Sequence, residues 1–172
     1  MKKIKSLIFG FLLVLSILIV MNPVSAATIT VNPGNSIQTA INGAAAGDTI
    51  IIMPGVYTEN IVINKALTLQ GSDTATTIIK PAANATNWFL LQSSHVHIKN
   101  LTLDGTGYNI RSAFRTEGSG SMTNCMIKNI RYTKYEGWGI SFNYVVSMQD
   151  WQIVGNEFRN IERVGILVDG QG

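Results

Sequence analysis

The chain is 172 residues long, with 46% hydrophobic and only 13% charged residues, and its 13 basic and 10 acidic side chains give a net charge of +3. Three of the basic residues lie among the first five positions, so the chain after residue 26 carries ten charges of each sign and is neutral. The composition therefore gives no support for binding to nucleic acid or to an anionic membrane.

The N-terminus has the three parts of a secretory signal peptide. A lysine-rich start is followed by an uncharged stretch at residues 7–20 and by the small residues Val24-Ser25-Ala26. A membrane-spanning helix usually needs about 20 apolar residues, so this stretch is short for one. We predict a signal peptide at residues 1–26 and an exported domain at residues 27–172 that has no membrane contact after cleavage. The alternative is an uncleaved membrane anchor.

The first element of the exported part is predicted to be a short amphipathic helix. Apolar residues at positions 37, 40, 41 and 44 follow the i, i+3, i+4, i+7 spacing of one helix face, and Ser36 is suited to cap the N-terminus. From Asp48 onward the sequence changes to short β-branched runs cut by turn residues: Thr49–Met53, Ile61–Ile63 and Leu67–Leu69. The rest of the chain is therefore predicted to be all-β.

Short sequence patterns recur along these runs. Leu67-Thr68-Leu69-Gln70-Gly71 returns 34 residues later as Leu101-Thr102-Leu103-Asp104-Gly105, and Gly139-Ile140-Ser141-Phe142 is echoed 26 residues later by Gly165-Ile166-Leu167-Val168. A recurrence of about 30 residues, without the closely spaced tight turns of a hairpin sandwich, favours a parallel β-helix.

A third pattern, apolar-basic-Asn-aliphatic, occurs three times and places an asparagine at each predicted bend. Asparagine tolerates a left-handed backbone better than most non-glycine residues. We predict that Asn100, Asn129 and Asn160 stack in successive coils as an amide ladder, about 4.8 Å apart. Their apolar neighbours should stack inside the coils: Ile98, Ile127 and Phe158.

Residues 28–71 resemble the N-terminal segment of a known superfamily. The matching positions are Ala40-Ile41, Ala44, Gly47-Asp48-Thr49-Ile50, Pro54-Gly55-Val56-Tyr57, Glu59-Asn60, Ile63, Lys65, Leu67-Thr68-Leu69 and Gly71. This pattern is similar to that of the pectin-lyase-like superfamily of right-handed parallel β-helix proteins. The resemblance implies an all-β solenoid whose short N-terminal helix caps the hydrophobic end of the coil stack.

The resemblance does not fix an activity, because the superfamily includes polysaccharide lyases, esterases, hydrolases, epimerases, phage tailspikes and non-catalytic surface repeat proteins. Gly55-Val56-Tyr57-Thr58-Glu59 resembles a signature of pectin methylesterases, but the sequence lacks their later Gln-Asp-Thr-Leu motif. It also lacks the Asn-Thr-Asp and Gly-His-Gly motifs of polygalacturonases and the Tyr-Gly-Asp-Pro-His element of alginate epimerases. No set of catalytic residues can therefore be transferred from these families.

The residues themselves offer only a partial catalytic set. A uronate lyase needs a base for the proton beside the substrate carboxylate and a cation that neutralises the carboxylate. Arg111 and Arg115, with Asp104 upstream, come closest to this requirement. The alternative is a solvated loop whose arginines pair with carboxylates such as Glu117. We expect no cofactor, with Ca²⁺ as the candidate if the protein is a lyase.

Metal ligands are sparse in the sequence. His95 and His97 should both face outward on one strand, but no third ligand follows at a recognisable spacing. The aspartates are scattered rather than clustered, whereas Ca²⁺ ligands should cluster. We therefore predict no metal site. Cys125 is the only cysteine, which excludes an internal disulfide, and we expect its thiol to be buried.

A sugar-binding surface is predicted where aromatic and charged residues are mixed. The candidate residues are Tyr132, Lys134, Tyr135, Glu136, Trp138 and Trp151. Exposed aromatic rings can stack on the apolar face of a sugar while flanking Lys and Glu side chains hydrogen-bond its hydroxyl groups. We expect at least two of the rings of Tyr132, Tyr135 and Trp138 to face solvent. The alternative is that these rings pack over their own coil.

Two N-glycosylation sequons occur, at Asn84-Ala85-Thr86 and at Asn100-Leu101-Thr102. The first is expected to be usable because it lies in a polar loop, whereas Asn100 belongs to the predicted ladder.

The last strand pattern, at residues 165–170, has no amphipathic cap after it, although solenoids normally close both ends. We expect either a fragment of a longer protein or a last coil that stacks end to end on a partner.

The leading functional hypothesis is a secreted or cell-surface β-helix repeat protein. It would bind polysaccharide or cell-wall glycan, or serve a structural role, without a complete catalytic site in this chain. The alternative hypothesis is the N-terminal part of a polysaccharide lyase or related carbohydrate-active enzyme that acts on uronate-containing polysaccharide.

Overall fold

Short apolar strands of this sequence bury their side chains by stacking in parallel. The computed structural model describes residues 25–132, 137–142 and 151–168, in which sixteen strands form three parallel sheets. Each strand inside a sheet pairs with the equivalent strands one turn earlier and one turn later, and each terminal strand has one such partner. The predicted parallel β-helix is confirmed, with about five coils.

The strands of each sheet have the following bounds in spatial order. Sheet A contains β1 (Thr28–Val31), β2 (Thr49–Ile52), β5 (Leu67–Gly71), β8 (Val96–Lys99), β11 (Gly120–Thr123) and β14 (Trp151–Val154). Sheet B contains β3 (Gly55–Thr58), β6 (Thr77–Lys80), β9 (Thr102–Asp104), β12 (Met126–Ile130) and β15 (Glu157–Ile161). Sheet C contains β4 (Ile61–Ile63), β7 (Ala85–Leu91), β10 (Ile110–Thr116), β13 (Trp138–Phe142) and β16 (Val164–Val168). Coil 1 comprises β2–β4, and each later coil takes the next three strands, so that coil 5 comprises β14–β16.

Rows of apolar side chains from successive coils form the core. The parallel register aligns one row in sheet A: Ile50, Leu69, Ile98, Met122 and Ile153. It aligns a second row in sheet C: Ile61, Phe89, Phe114, Ile140 and Ile166. The rings of Phe89 and Phe114 lie 4.8 Å apart between centroids. Because each row continues from coil to coil, a residue is buried by the neighbours above and below it as well as across the core.

Helix α1 (Ile37–Gly43) closes the N-terminal end of this core. Ile37 and Ile41 are fully buried, and the side chain of Ser36 accepts the N–H of Thr39 at 3.1 Å. The carboxylate of Glu59, which comes from coil 1, accepts the N–H groups of Ile37 and Gln38 at 2.7 and 2.9 Å. The predicted capping helix and its N-cap are confirmed, and the coil itself supplies a second set of caps.

The asparagine ladder differs from the prediction. Asn129 and Asn160 do stack, since Nδ2 of Asn160 donates to Oδ1 of Asn129 at 2.8 Å. Asn100 instead lies at the corner between sheets A and B, one residue after Lys99, and aligns with Asn124 in the next coil. The three predicted asparagines have the left-handed backbone that was expected, and Asn124 shares it, with φ between 50° and 58° for all four. The single predicted ladder is therefore wrong, and two shorter stacks at different corners replace it.

The predicted inner row is also only half correct. Ile127 stacks on Phe158, but Ile98 stacks on Met122. The segments Leu67–Gly71 and Leu101–Gly105 do not stack either, because the first lies in sheet A and the second contains β9 of sheet B. The recurrence of the β13 pattern in β16 does correspond to two stacked strands, since Ile140 aligns with Ile166.

The signal-peptide prediction falls almost wholly outside the described residues, which begin at Ser25. Within the described part of the chain, no helix has the length and apolar character needed to cross a membrane.

Candidate functional site

The three candidate catalytic residues lie on two different sheets. Asp104 ends β9 in sheet B, whereas Arg111 and Arg115 lie in β10 in sheet C. The carboxylate of Asp104 accepts hydrogen bonds from Asn129 Nδ2 at 2.9 Å and from Thr106, and its Oδ2 lies 3.4 Å from Nζ of Lys128.

These contacts determine the charge of Asp104. Burial by itself would raise the pKa of its carboxyl group, but the hydrogen bonds from Asn129 and Thr106, together with the charge of Lys128, lower the pKa to about 2. A carboxylate with so low a pKa is a weak base at neutral pH. Asp104 is therefore suited to anchoring its neighbours rather than to abstracting a proton.

Trp138 does not present the open ring that the sequence predicted. Its side chain is only 8% exposed, and the guanidinium of Arg111 lies 4.8 Å from the ring centroid. Its indole Nε1 is buried and has no hydrogen-bond partner among the described residues. Trp138 is therefore not one of the exposed rings, because Arg111 covers its ring in a cation–π contact. The expectation that at least two of the rings of Tyr132, Tyr135 and Trp138 face solvent stays a prediction, since Tyr135 lies outside the described residues.

Of the other predicted sugar-binding residues, Trp151 and Tyr132 lie in the described part of the chain, and both are half-buried. Trp151 begins β14, its indole donates to the carbonyl of Gly118, and its ring meets Phe142 edge to face at 5.6 Å, so it packs against the core. Tyr132 is half-buried, and its N–H donates to the carboxylate of Glu162 at 2.8 Å. Lys134, Tyr135 and Glu136 lie outside the described residues.

A cleft that the sequence did not predict lies beside the Asn129–Asn160 stack. It has a volume of about 400 Å³, and its lining comprises Gly105, Thr106, Gly107, Tyr108, Asn109, Asn129, Arg131 and Asn160. The loop between β9 and β10 forms one side, and residues at the C-terminal ends of β12 and β15 form the other. The cleft therefore draws on three successive coils.

Short side chains and close backbone contacts give this cleft its shape. An added Cβ at Gly105 would lie 2.7 Å from the carbonyl oxygen of Asn129, so only glycine lets the two coils approach this closely. Gly107 turns the loop with a left-handed backbone at a φ of 88°. The N–H of Tyr108 donates to the carbonyl of Gly105 at 3.2 Å, which closes the turn.

A chain of polar contacts runs along one wall of the cleft. Asn160 donates to Asn129, and Asn129 donates in turn to Asp104 and to the hydroxyl of Thr106, each at 2.9 Å. Asp104 is also paired with Lys128, and the positive charge exposed among the described lining residues is that of Arg131. The described lining thus combines amide groups, a hydroxyl group, a tyrosine ring and the cation of Arg131.

The histidines and the cysteine show no sign of a second site. His95 and His97 are both exposed as expected, but only His97 lies on β8, since His95 precedes the strand with a φ of 59°. Nδ1 of His97 lies 2.8 Å from the hydroxyl of Ser121. No three His, Cys, Asp or Glu side chains of the described segments come together as a metal site would require. Burial raises the pKa of the Cys125 thiol to about 11, which confirms the expected buried cysteine.

No family model matches the sequence. A cell surface glycoprotein of Methanothermus fervidus is 30% identical over 139 residues, which cover 76% of this chain and 22% of that protein. A mutant of the PL6 family alginate lyase AlyGC has a similar structure, with a TM-score of 0.67 at 16% identity, over 81% of this chain and 21% of that one. The chain therefore spans about a fifth of the length of each of these two proteins. Together with the three parallel sheets, the structural likeness shows that the chain has the same parallel β-helix fold as that lyase.

Proposed function

We propose that this chain is part of an exported cell-surface β-helix protein that binds an acidic polysaccharide in the cleft beside Asn129. The observation that carries the proposal is the cleft itself, whose volume of about 400 Å³ falls within the range typical of ligand sites. The name of the relative from Methanothermus fervidus supports the cell-surface assignment, and the polysaccharide substrate of the structurally similar lyase supports a glycan ligand.

The lining of the cleft matches the chemistry of a uronate chain. Asparagine side chains both donate to and accept from sugar hydroxyl groups, and the Tyr108 ring offers an apolar surface for a sugar face. The guanidinium of Arg131 can bind a carboxylate with two parallel hydrogen bonds. The stacked coils hold these groups on a rigid backbone, so little ordering entropy is lost when a ligand binds. Tyr132, which follows Arg131 directly, is a proposed extension of this surface.

We favour binding over catalysis for the described part of the chain. Asp104 has too low a pKa to be an effective base, and Arg111 faces the ring of Trp138. Polysaccharide lyase activity remains the second candidate function because of the structural likeness to the alginate lyase. Unsaturated products released from alginate or polygalacturonate by this chain alone would contradict the proposal and support the lyase function.

Binding can be tested with a pair of charge-removing variants. We expect the chain to bind alginate or polygalacturonate more tightly than neutral dextran in isothermal titration calorimetry, with an affinity that falls as salt is added. Arg131→Gln should weaken binding by about tenfold, because a charged hydrogen bond contributes roughly 1.5 kcal/mol. Lys99→Gln removes the same charge from β8 in sheet A and should leave the affinity unchanged. Equal losses in both variants, or no binding to any acidic polysaccharide, would contradict the cleft as the site.

A further inference from the structure

We infer that Asn84 is an N-glycosylation site and that the second sequon, at Asn100, is not modified. The inference rests on the export of the chain, which is part of the proposed function. It does not depend on polysaccharide binding in the cleft.

The fold leaves the side chain of Asn84 available in a defined orientation. Asn84 is exposed, and its Oδ1 accepts the backbone N–H of Asn109 at 2.9 Å. Only the oxygen of a side-chain amide can accept this bond, so the contact fixes which way the amide is turned. Nδ2, the atom that would carry the glycan, has no hydrogen-bond partner among the described residues.

The third residue of this sequon is also accessible. Thr86 is exposed and lies two positions after Asn84, in the extended segment that starts β7. Successive side chains of an extended segment point to opposite sides, so Asn84 and Thr86 share the outer side. Ala85 between them is half-buried, as this alternation requires. An enzyme that recognises both residues of the sequon can therefore approach them from one direction.

The Asn100 sequon has the opposite geometry. Thr102 is 1% exposed, and its hydroxyl donates to the carbonyl of Thr74 at 2.6 Å. Leu101 is fully buried, and the N–H of Asn100 donates to the carbonyl of Thr123 in the next coil. Presenting this sequon to an enzyme would require the corner between β8 and β9 to open. A folded chain thus offers one of its two sequons.

The transfer needs a glycan that is activated as a phosphate ester at its anomeric carbon. A bond forms between Nδ2 of Asn84 and that carbon, and the bond from the carbon to the phosphate oxygen breaks, with its electron pair leaving on the phosphate oxygen. The amide nitrogen loses one proton, which a base of the transferring enzyme or the departing phosphate takes up, and no oxidant or reductant takes part. Because Asn109 lines the cleft and contacts Asn84, the attached glycan would stand at the rim of the cleft.

The test is peptide mass spectrometry of the exported protein, recovered from the cells that naturally produce it. We expect a glycan mass on the peptide that contains Asn84 and none on the peptide that contains Asn100. Asn84→Gln and Thr86→Ala should abolish the modification, whereas Thr86→Ser should retain it because serine preserves the sequon. Asn100→Gln is the matched control and should leave the glycan mass of the protein unchanged.

Two results would overturn the inference: an exported protein that is unmodified at Asn84, or a glycan on Asn100. An exported, unmodified protein that still binds polysaccharide would overturn the glycosylation alone. A protein that is never exported would overturn both the glycosylation and the proposed cell-surface function.

Discussion

The first and last coils show what the stacking of coils contributes to burial. In coil 1, Ile50 and Ile61 are at most 1% exposed, because β1 pairs with β2, helix α1 covers the end of the core, and coil 2 stacks on the other side. In coil 5, Ile166 is 37% exposed and Val168 is 52% exposed, although they continue the inward pattern of sheet C. Within the described part of the chain, no strand pairs with the outer edge of coil 5. The same kind of strand is therefore core or surface according to whether both of its sides are covered.

The largest expected difference is between isoleucines at the two ends. Ile50→Ala should lower the free energy of unfolding by about 2 to 5 kcal/mol, because it removes a buried side chain and leaves a cavity. Ile166→Ala should cost less than about 1 kcal/mol, since its side chain is already partly in water. Denaturant unfolding of both variants checks this comparison. Equal costs would show that the last coil is covered in solution, as the predicted end-to-end stacking on a partner requires.

The hydrogen bonds between Glu59 and helix α1 provide the next comparison between coil 1 and coil 5. Glu59→Ala removes the acceptor for the N–H groups of Ile37 and Gln38 and for the hydroxyl of Ser36, so we expect a loss of about 1.5 to 3 kcal/mol. Glu157→Ala in coil 5 removes an exposed ion pair with Arg159 and should cost about 0.5 kcal/mol or less. Thermal unfolding monitored by circular dichroism would rank the two variants. A larger loss for Glu157→Ala would contradict the assignment of Glu59 as the link between helix and coil.

The elements of the fold could be predicted from sequence because they depend on local patterns. The helix follows from the spacing of Ile37 and Ile41, and the bends follow from asparagines that accept a left-handed backbone. The stacking partners could not be predicted, because the coils differ in length. Equivalent residues are 19 apart between β2 and β5, 29 between β5 and β8, and 24 between β8 and β11. A repeated tetrapeptide such as that of Asn100 and Asn129 can therefore fall at two different corners.

The candidate site was harder to predict, because it is made by residues far apart in sequence. The crowding of aromatics near Trp138 could not indicate that Arg111 would cover the ring, since β10 and β13 become neighbours only in the folded coil. The cleft joins a loop after β9 to Asn129 and Asn160. The sequence carries one signal for this position, the glycines at 105 and 107, which are typical of a loop but do not indicate its partners.

The pH dependence of the free energy of unfolding tests the contribution of the Asp104 carboxylate, at which the chain of polar contacts from Asn160 through Asn129 ends. The pKa of Asp104 is lowered from 3.8 to about 2 in the folded protein, so its ionised form stabilises the fold above about pH 4. This contribution, about 1 to 2 kcal/mol after allowance for solvent screening, should disappear as the pH falls from about 4 to 2. Asp104→Asn should be less stable than the parent at pH 7 and equally stable at pH 2. A constant difference over this range in urea unfolding would assign the loss to packing rather than to charge.

The smallest effects on stability are expected in the stack of Asn129 on Asn160. Here an interior coil and coil 5 can be compared through the same type of residue. Asn129 and Asn160 have φ values of 58° and 50°, which glycine adopts without strain, so glycine substitutions remove only the side-chain hydrogen bonds. Asn129 donates to Asp104 and to Thr106 and accepts from Asn160, whereas Asn160 makes only the last of these contacts among the described residues.

Asn129→Gly should therefore lower the free energy of unfolding by about 1 to 2 kcal/mol and raise the pKa of Asp104, which loses a hydrogen-bond donor. Asn160→Gly should change the free energy of unfolding by about 0.5 kcal/mol or less, because its amide is exposed and water can replace the lost contact. Urea unfolding, together with NMR titration of the Asp104 carboxyl, measures both quantities. Equal losses at the two positions would mean that the stack stabilises every coil alike, and that its anchoring on the ionised carboxylate of Asp104 is unimportant.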